Sequence, residues 1–201
     1  MPKTNAATPE PQEPLDARVE RSKAAVLATT FQLMTETGVG GVSIDEVSRR
    51  SGVAKTTIYR HWPSRSALLL DTCARLRQRT PAPDTGSLEG DVSALAGYLA
   101  EQLKTARWPT ILPSIIDAAE RDADLAQLHA SLQAGFSAPY GDVLAKAKKR
   151  GEAPKSASAA ELAAQVMGPI FFRRWFSREP LDRKFVRGVV EAALMKLRGP
   201  K

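Results

Sequence analysis

Ser43 to Leu68 reads SIDEVSRRSGVAKTTIYRHWPSRSAL, and its punctuation decides the fold. Ser43 followed by Glu46 is a capping-box spacing: the hydroxyl accepts a backbone N–H of the first turn while the carboxylate reaches back to the cap. Ile44 and Val47 then stand one helical turn apart, with Arg49 and Arg50 on the exposed side. Gly52 ends this helix with a sharp turn that needs no Cβ, and Val53 tucks back inward. A second short helix starts at about Ala54, with Ile58 and Trp62 as its buried stripe. Pro63 and Ser64 close it, and Ser64 caps a further helix. The spacing is that of a helix-turn-helix.

The outward face of the second short helix carries Lys55, Thr56, Thr57, Tyr59, Arg60 and His61. Hydroxyls, an aromatic, an imidazole and cations on one short rod suit the major groove of double-stranded DNA, where side chains meet base edges and helix ends meet phosphates. The pattern alone leaves a second reading open, an ordinary helical hairpin with a solvated basic face. Charge sharpens the first reading. The chain has a formal net charge of +7, and Ser43 to Arg79 holds eight basic residues against three acidic ones in under a fifth of the length. A basic stripe that coincides with a helix-turn-helix is the electrostatic footprint of phosphate binding.

The same stretch resembles the recognition region of TetR-type transcriptional regulators. The residues that carry the resemblance are Val47-Ser48, Gly52-Val53-Ala54-Lys55, Ile58-Tyr59, Trp62, Ser64-Arg65 and Leu68. It is tight from near Arg18 to near Arg77 and loose beyond. The resemblance implies a homodimer on a palindromic operator, Thr57 and His61 against bases, and Ser43, Lys55, Tyr59 and Arg65 on phosphates. Three departures stand out. Ala54 replaces the usual capping Ser, a loss of about 1 kcal/mol. Ser48 stands where a small apolar residue is usual, and Thr56 where Gly is common.

Outside the motif nearly everything reads as helix, about nine in total, so the fold class is all-α: a DNA-binding helix-turn-helix domain over 16–79, then a larger helical regulatory bundle over 87–199. The first fifteen residues hold four prolines and no apolar h-region, and read as a disordered tail rather than a secretory signal. Val26, Leu27, Phe31 and Met34 make the stripe of a helix over about 16–37 that stops at Gly38-Val-Gly40-Gly41. Pro81-Ala-Pro83-Asp-Thr-Gly86 marks the domain boundary. Further helices are predicted over about 87–105, 108–120, from Asp122 toward Phe136, 137–150, 156–176 and 181–197.

Two features of the second half exceed a generic bundle. Phe171 to Phe176 packs four aromatics into six residues, more than one helix face holds. In the family resembled, the last two helices of each subunit form the dimer interface, which implies Phe172, Trp175, Phe176, Val189 and Ala193 there. Arg150-Gly-Glu152, then Gly168-Pro169 and Arg173, resemble one common C-terminal domain type of that family. The second feature is Leu95, Tyr98, Leu99, Trp108, Ile111, Ile115, Phe136 and Tyr140, large groups of which the Tyr and Trp side chains keep a polar handle. The resemblance implies a cavity there for a small apolar or aromatic effector; the residues alone equally describe plain core.

Other classes find little support. His61 lies on the recognition helix and His129 stands alone. Asp117, Glu120, Asp122 and Asp124 lack His or Cys at a metal-ligand spacing, so no metal or cofactor and no catalytic residues are expected. The lone thiol, Cys73, fits a reducing, cytoplasmic location and a semi-buried helix position. No apolar run reaches the ~18 residues of a membrane span.

Overall fold

The computed structural model describes residues 15–76 and 81–198. Nine α-helices and no strand are found among the described residues. They are α1 (Leu15–Thr37), α2 (Ile44–Ser51), α3 (Lys55–His61), α4 (Arg65–Leu76), α5 (Leu88–Thr105), α6 (Trp108–Ala119), α7 (Ala123–Lys149), α8 (Ala159–Phe172) and α9 (Arg183–Arg198). A 3-10 turn, Val39–Gly41, joins α1 to α2, and a π turn, Arg173–Ser177, ends α8. The tail expected over 1–15 lies outside the described residues except for Leu15, which already belongs to α1; 77–79 and 199 lie outside them as well.

Caps place most boundaries. Ser43, Ser87 and Ser158 each accept a first-turn N–H, and Asp122 accepts from Asp124 and Leu125. Ser64 Oγ accepts from Ala67 N at 3.1 Å at the start of α4. Gly52, at φ +70°, closes α2 in the left-handed region where a side chain would be strained.

One boundary differs from expectation. Two helices were expected over 122–136 and 137–150, yet α7 runs unbroken through Pro139. Both halves are anchored: Leu125, Leu128 and Leu132 are buried on one side of the proline, and Tyr140, Val143, Leu144 and Ala147 on the other. That packing outweighs the single helical hydrogen bond that proline cannot donate.

The helices build two cores. The first gathers α1 to α4 around Val26, Met34, Val47, Ile58, Leu68 and Leu69, and it also takes in Ile111 and Ile115 of α6 and Leu125, Leu128 and Leu132 of α7. The second holds α5, the later half of α7, α8 and α9. Phe136 packs against both. The sequence boundary near Pro81 is therefore not a packing boundary, because α6 and early α7 belong physically to the first core.

Arg150 and Glu152 tie the end of α7 to the start of α5. Asp91 is fully buried, and its carboxylate accepts from Thr85 N (2.6 Å), Thr85 Oγ1 (2.9 Å) and Arg150 Nη2 (3.3 Å). Burial opposes the charge of Asp91, but the Thr85 and Arg150 donors prevail and hold its carboxyl below the usual range. Glu152 accepts from Leu88 N at the first turn of α5 and from Arg150. The Arg-Gly-Glu triplet is a structural clasp.

Candidate functional site

The recognition helix is α3. Only Ile58 is buried within it, and Trp62, next in the chain, donates from Nε1 to Asp71 of α4 at 2.9 Å, fixing the end of α3. Lys55, Thr56, Tyr59 and Arg60 are exposed, with Thr57 and His61 half-buried. Thr56 and Arg60 lie opposite Ile58, Thr57 and Tyr59 flank it, and Lys55 and His61 stand one turn either side of it. Arg60 makes no ion pair or hydrogen bond with a described residue, whereas Lys55 pairs with Asp45 at the start of α2. Ala54 provides no side-chain cap. Ser48 holds the turn instead, donating from Oγ to Val53 O at 2.8 Å, which explains a hydroxyl where an apolar residue is usual.

Two expectations about this face change. Ser43 Oγ accepts from Glu46 N at 3.1 Å, but Glu46 does not return to the cap. Arg49 and Arg50 take its carboxylate at 2.6–2.9 Å, because two guanidiniums outcompete one amide. They pull the carboxyl down to about 2, Arg49 more than Arg50. Arg50 also reaches Glu36 of α1 at 2.6 Å, so both basic residues of α2 carry internal partners. Arg65 has internal partners too. Its Nε donates to Val42 O at 2.7 Å and its Nη2 donates to Val39 O, so the guanidinium fastens the 3-10 turn to α4.

The second site is a cavity of about 930 Å3. Leu95, Tyr98, Leu99, Trp108, Ile111, Ile115, Phe136 and Tyr140 all line it. Trp108 and Phe136 stack obliquely across it with centroids 5.1 Å apart. Sequence reasoning missed Gln102, Asp142, Leu112, Leu132 and Met167. Gln102 had a signal, since it follows Tyr98 by four residues on one face of α5. Cys73 is fully buried rather than semi-buried, and it brings α4 into the cavity wall.

Behind Ile111 and Ile115 lies a joint between the halves. Ser114 Oγ of α6 accepts from Val39 N at 3.1 Å and donates to Ile111 O at 2.7 Å. Gly38, at φ +70°, brings backbone so close that a Cβ there would stand 3.0 Å from Ser114 Cβ. Cavity wall, Ser114, Val39, Arg65 and α4 thus form one contiguous path toward α3.

The aromatics at 171–176 divide. Phe171 and Trp175 pack inward against the second core, 4.9 Å apart. Phe172 and Phe176 stack on each other at 5.4 Å while 59% and 77% exposed. Val189 and Ala193 differ from the interface expectation: this chain's own second core covers them, since α9 turns that side toward α5 and α8. Met195 is the exposed large apolar side chain among the described residues of α9.

Among the described residues no group of three His, Cys, Asp or Glu side chains is placed to hold a metal ion. Asp117 pairs with Arg121, and Asp122 caps α7. No described helix is long and apolar enough to cross a membrane.

Comparison with known proteins agrees with this arrangement. Residues 26–72 match the bacterial regulatory proteins of the tetR family, and residues 82–193 match the tetracyclin repressor-like C-terminal domain. The DNA-binding transcriptional repressor TetR of Mycobacteroides abscessus is 31% identical over 188 residues, covering 92% of this chain and 97% of that protein. The uncharacterized HTH-type transcriptional regulator YdeS of Bacillus subtilis is 29% identical over 178 residues, covering 86% and 88%. The crystal structure of the TetR family transcription regulator SCO0332 superposes with a TM-score of 0.67 at 32% identity, covering 87% of this chain and 97% of that one. With its helix-turn-helix and its helical C-terminal domain both matched, the chain belongs to the TetR family and is a DNA-binding transcriptional regulator.

Proposed function

We propose that this chain is a ligand-responsive repressor of the bacterial cytoplasm. A homodimer lays the α3 of each subunit into a palindromic operator, and a small apolar or aromatic effector in the cavity releases it. Two-fold symmetry of the protein matches half-sites one helical turn or a multiple apart. Thr57 and His61 take the base edges. Lys55, Tyr59 and Ser43 take phosphates, and Arg60, free of internal partners, joins them. The observation that carries the effector half of this reading is the cavity itself, whose wall residues Ile111 and Ile115 are also core residues of the DNA-binding half. A ligand that fills the cavity presses on side chains that position α1 to α4. Weakening operator affinity tenfold asks for about 1.4 kcal/mol of differential binding, an ordinary coupling energy.

The test is a mobility shift on DNA upstream of the chain's own gene, run as a salt series. Wild type binds with a steep salt dependence. Tyr59→Ala and Arg60→Ala weaken binding to all sequences and flatten the salt slope. Unchanged affinity and slope in both variants would refute the assignment of α3 to the groove.

A further inference from the structure

The cavity's polar groups carry more information than its size. Tyr140 is only 3% exposed, lines the cavity, and makes no hydrogen bond to a described residue. Among the described residues no fully buried side-chain oxygen or nitrogen lacks a partner. With no described partner and a place in the cavity wall, the Tyr140 Oη is assigned to the cavity. A phenol in this position is a poor core residue, because a buried hydroxyl without a partner is costly. It is a good receptor group for a polar atom delivered by a ligand.

The charge of the wall is one-sided. Among the described residues no Lys, Arg or His lines the cavity, and Asp142 is the one charged side chain that does. Asp142 is exposed and has no ion pair with a described residue. Lys146, one turn further along α7, is the natural helical partner for it. Instead Lys146 gives its ammonium to Asp84 at 2.9 Å. Among the described residues no cation neutralises the Asp142 carboxylate, which repels anions at the cavity. Trp108 and Phe136 add a broad aromatic surface to the same cavity wall.

Resting on the reading of the cavity as an effector site, we propose that it takes a polycyclic aromatic molecule that bears a hydroxyl or carbonyl and no negative charge, with that polar group paired to Tyr140 Oη. Among the described wall residues nothing pairs a carboxylate or a phosphate, so anionic ligands bind worst. The hydroxyl of Tyr140 selects among aromatics of equal shape, because a site built around a hydrogen bond discriminates strongly against a ligand that cannot make it.

The experiment uses the full chain and three probes of one shape: phenanthrene, 9-phenanthrol and phenanthrene-9-carboxylate, titrated by quenching of tryptophan fluorescence. In wild type, phenanthrol binds tightest and the carboxylate weakest. Tyr140→Phe weakens phenanthrol by about tenfold, the worth of one such hydrogen bond, and leaves phenanthrene unchanged. Asp142→Asn, an exposed substitution, narrows the gap between carboxylate and phenanthrol and leaves phenanthrene unchanged. A carboxylate that binds wild type as well as phenanthrol does overturns the proposal. Equal losses for phenanthrol and phenanthrene in Tyr140→Phe also overturn it, as does failure of all three probes to bind. A mobility shift separates this from the effector reading. If phenanthrol binds in the expected pattern without releasing DNA, the ligand class stands and release through the cavity falls.

Discussion

At the scale of single residues, two positions set measurable stability. Ala54 occupies the cap of α3 with extended geometry but no side-chain acceptor, while Thr57 N and Ile58 N turn to its backbone oxygen. Ala54→Ser is expected to stabilise the protein by about 1 kcal/mol, read as a rise of about 2–4 °C in melting temperature. An unchanged or lower melting temperature would show that the α3 N-terminus needs no further acceptor. Glu46 gives a pH dependence. Arg49 and then Arg50 lower its carboxyl from 4.5 to about 2 in the folded chain. The unfolded chain therefore takes up this proton first as pH falls. The stabilisation is complete above about 4.5 and is lost as pH drops toward 2. Glu46→Gln is expected to melt below wild type near neutral pH, with the gap closing over that window in circular dichroism melts. High salt shrinks the gap, since these groups are exposed. The residues of α3 were legible in sequence because one face of a short helix follows from spacing. The partners of Arg65, Arg50 and Glu46 were not, because they depend on where α1 and the 3-10 turn lie in space.

At the scale of elements, caps and apolar stripes announced most helices, with serine or aspartate at the caps of α2, α4, α5, α7 and α8. The break at Ser137-Ala-Pro139 misled because a proline's local penalty is visible in sequence while burial on both sides of it is not. The joint between α6 and the 3-10 turn was equally hidden. Ser114 and Val39 are 75 residues apart, and neither belongs to a recognisable motif. Ser114→Ala removes the acceptor for the part-buried Val39 N–H and is expected to cost about 1–3 kcal/mol. Its sharper signature is in coupling: effector binds with nearly unchanged affinity while release of DNA falls, measured by titrating each ligand in the presence of the other. Equal effector-induced release in the variant and wild type would place the transmission elsewhere.

At the scale of the whole molecule, the all-α architecture followed from the chain's pattern, whereas a cavity among the eight large side chains was what the family resemblance implied, since the residues alone equally describe plain core. The outward aromatics were legible as an excess, but which ones face out was not. Helical geometry with the π turn sends Phe171 and Trp175 inward and leaves Phe172 and Phe176 exposed as a stacked pair. Phe172→Asp with Phe176→Asp is expected to yield a folded monomer by light scattering and to reduce operator affinity sharply, because a single half-site contact remains. A double variant that stays dimeric at micromolar concentration would move the interface off this pair. The shared wall has a different consequence, for how such a protein diversifies. Ile111 and Ile115 serve the cavity and the first core at once, so any change there alters ligand shape and the seating of the DNA-binding half together. Tyr98, Gln102 and Asp142 belong to neither core. A lineage adapting to a new chemical signal is free to alter Tyr98, Gln102 and Asp142, and it inherits Ile111 and Ile115 nearly unchanged.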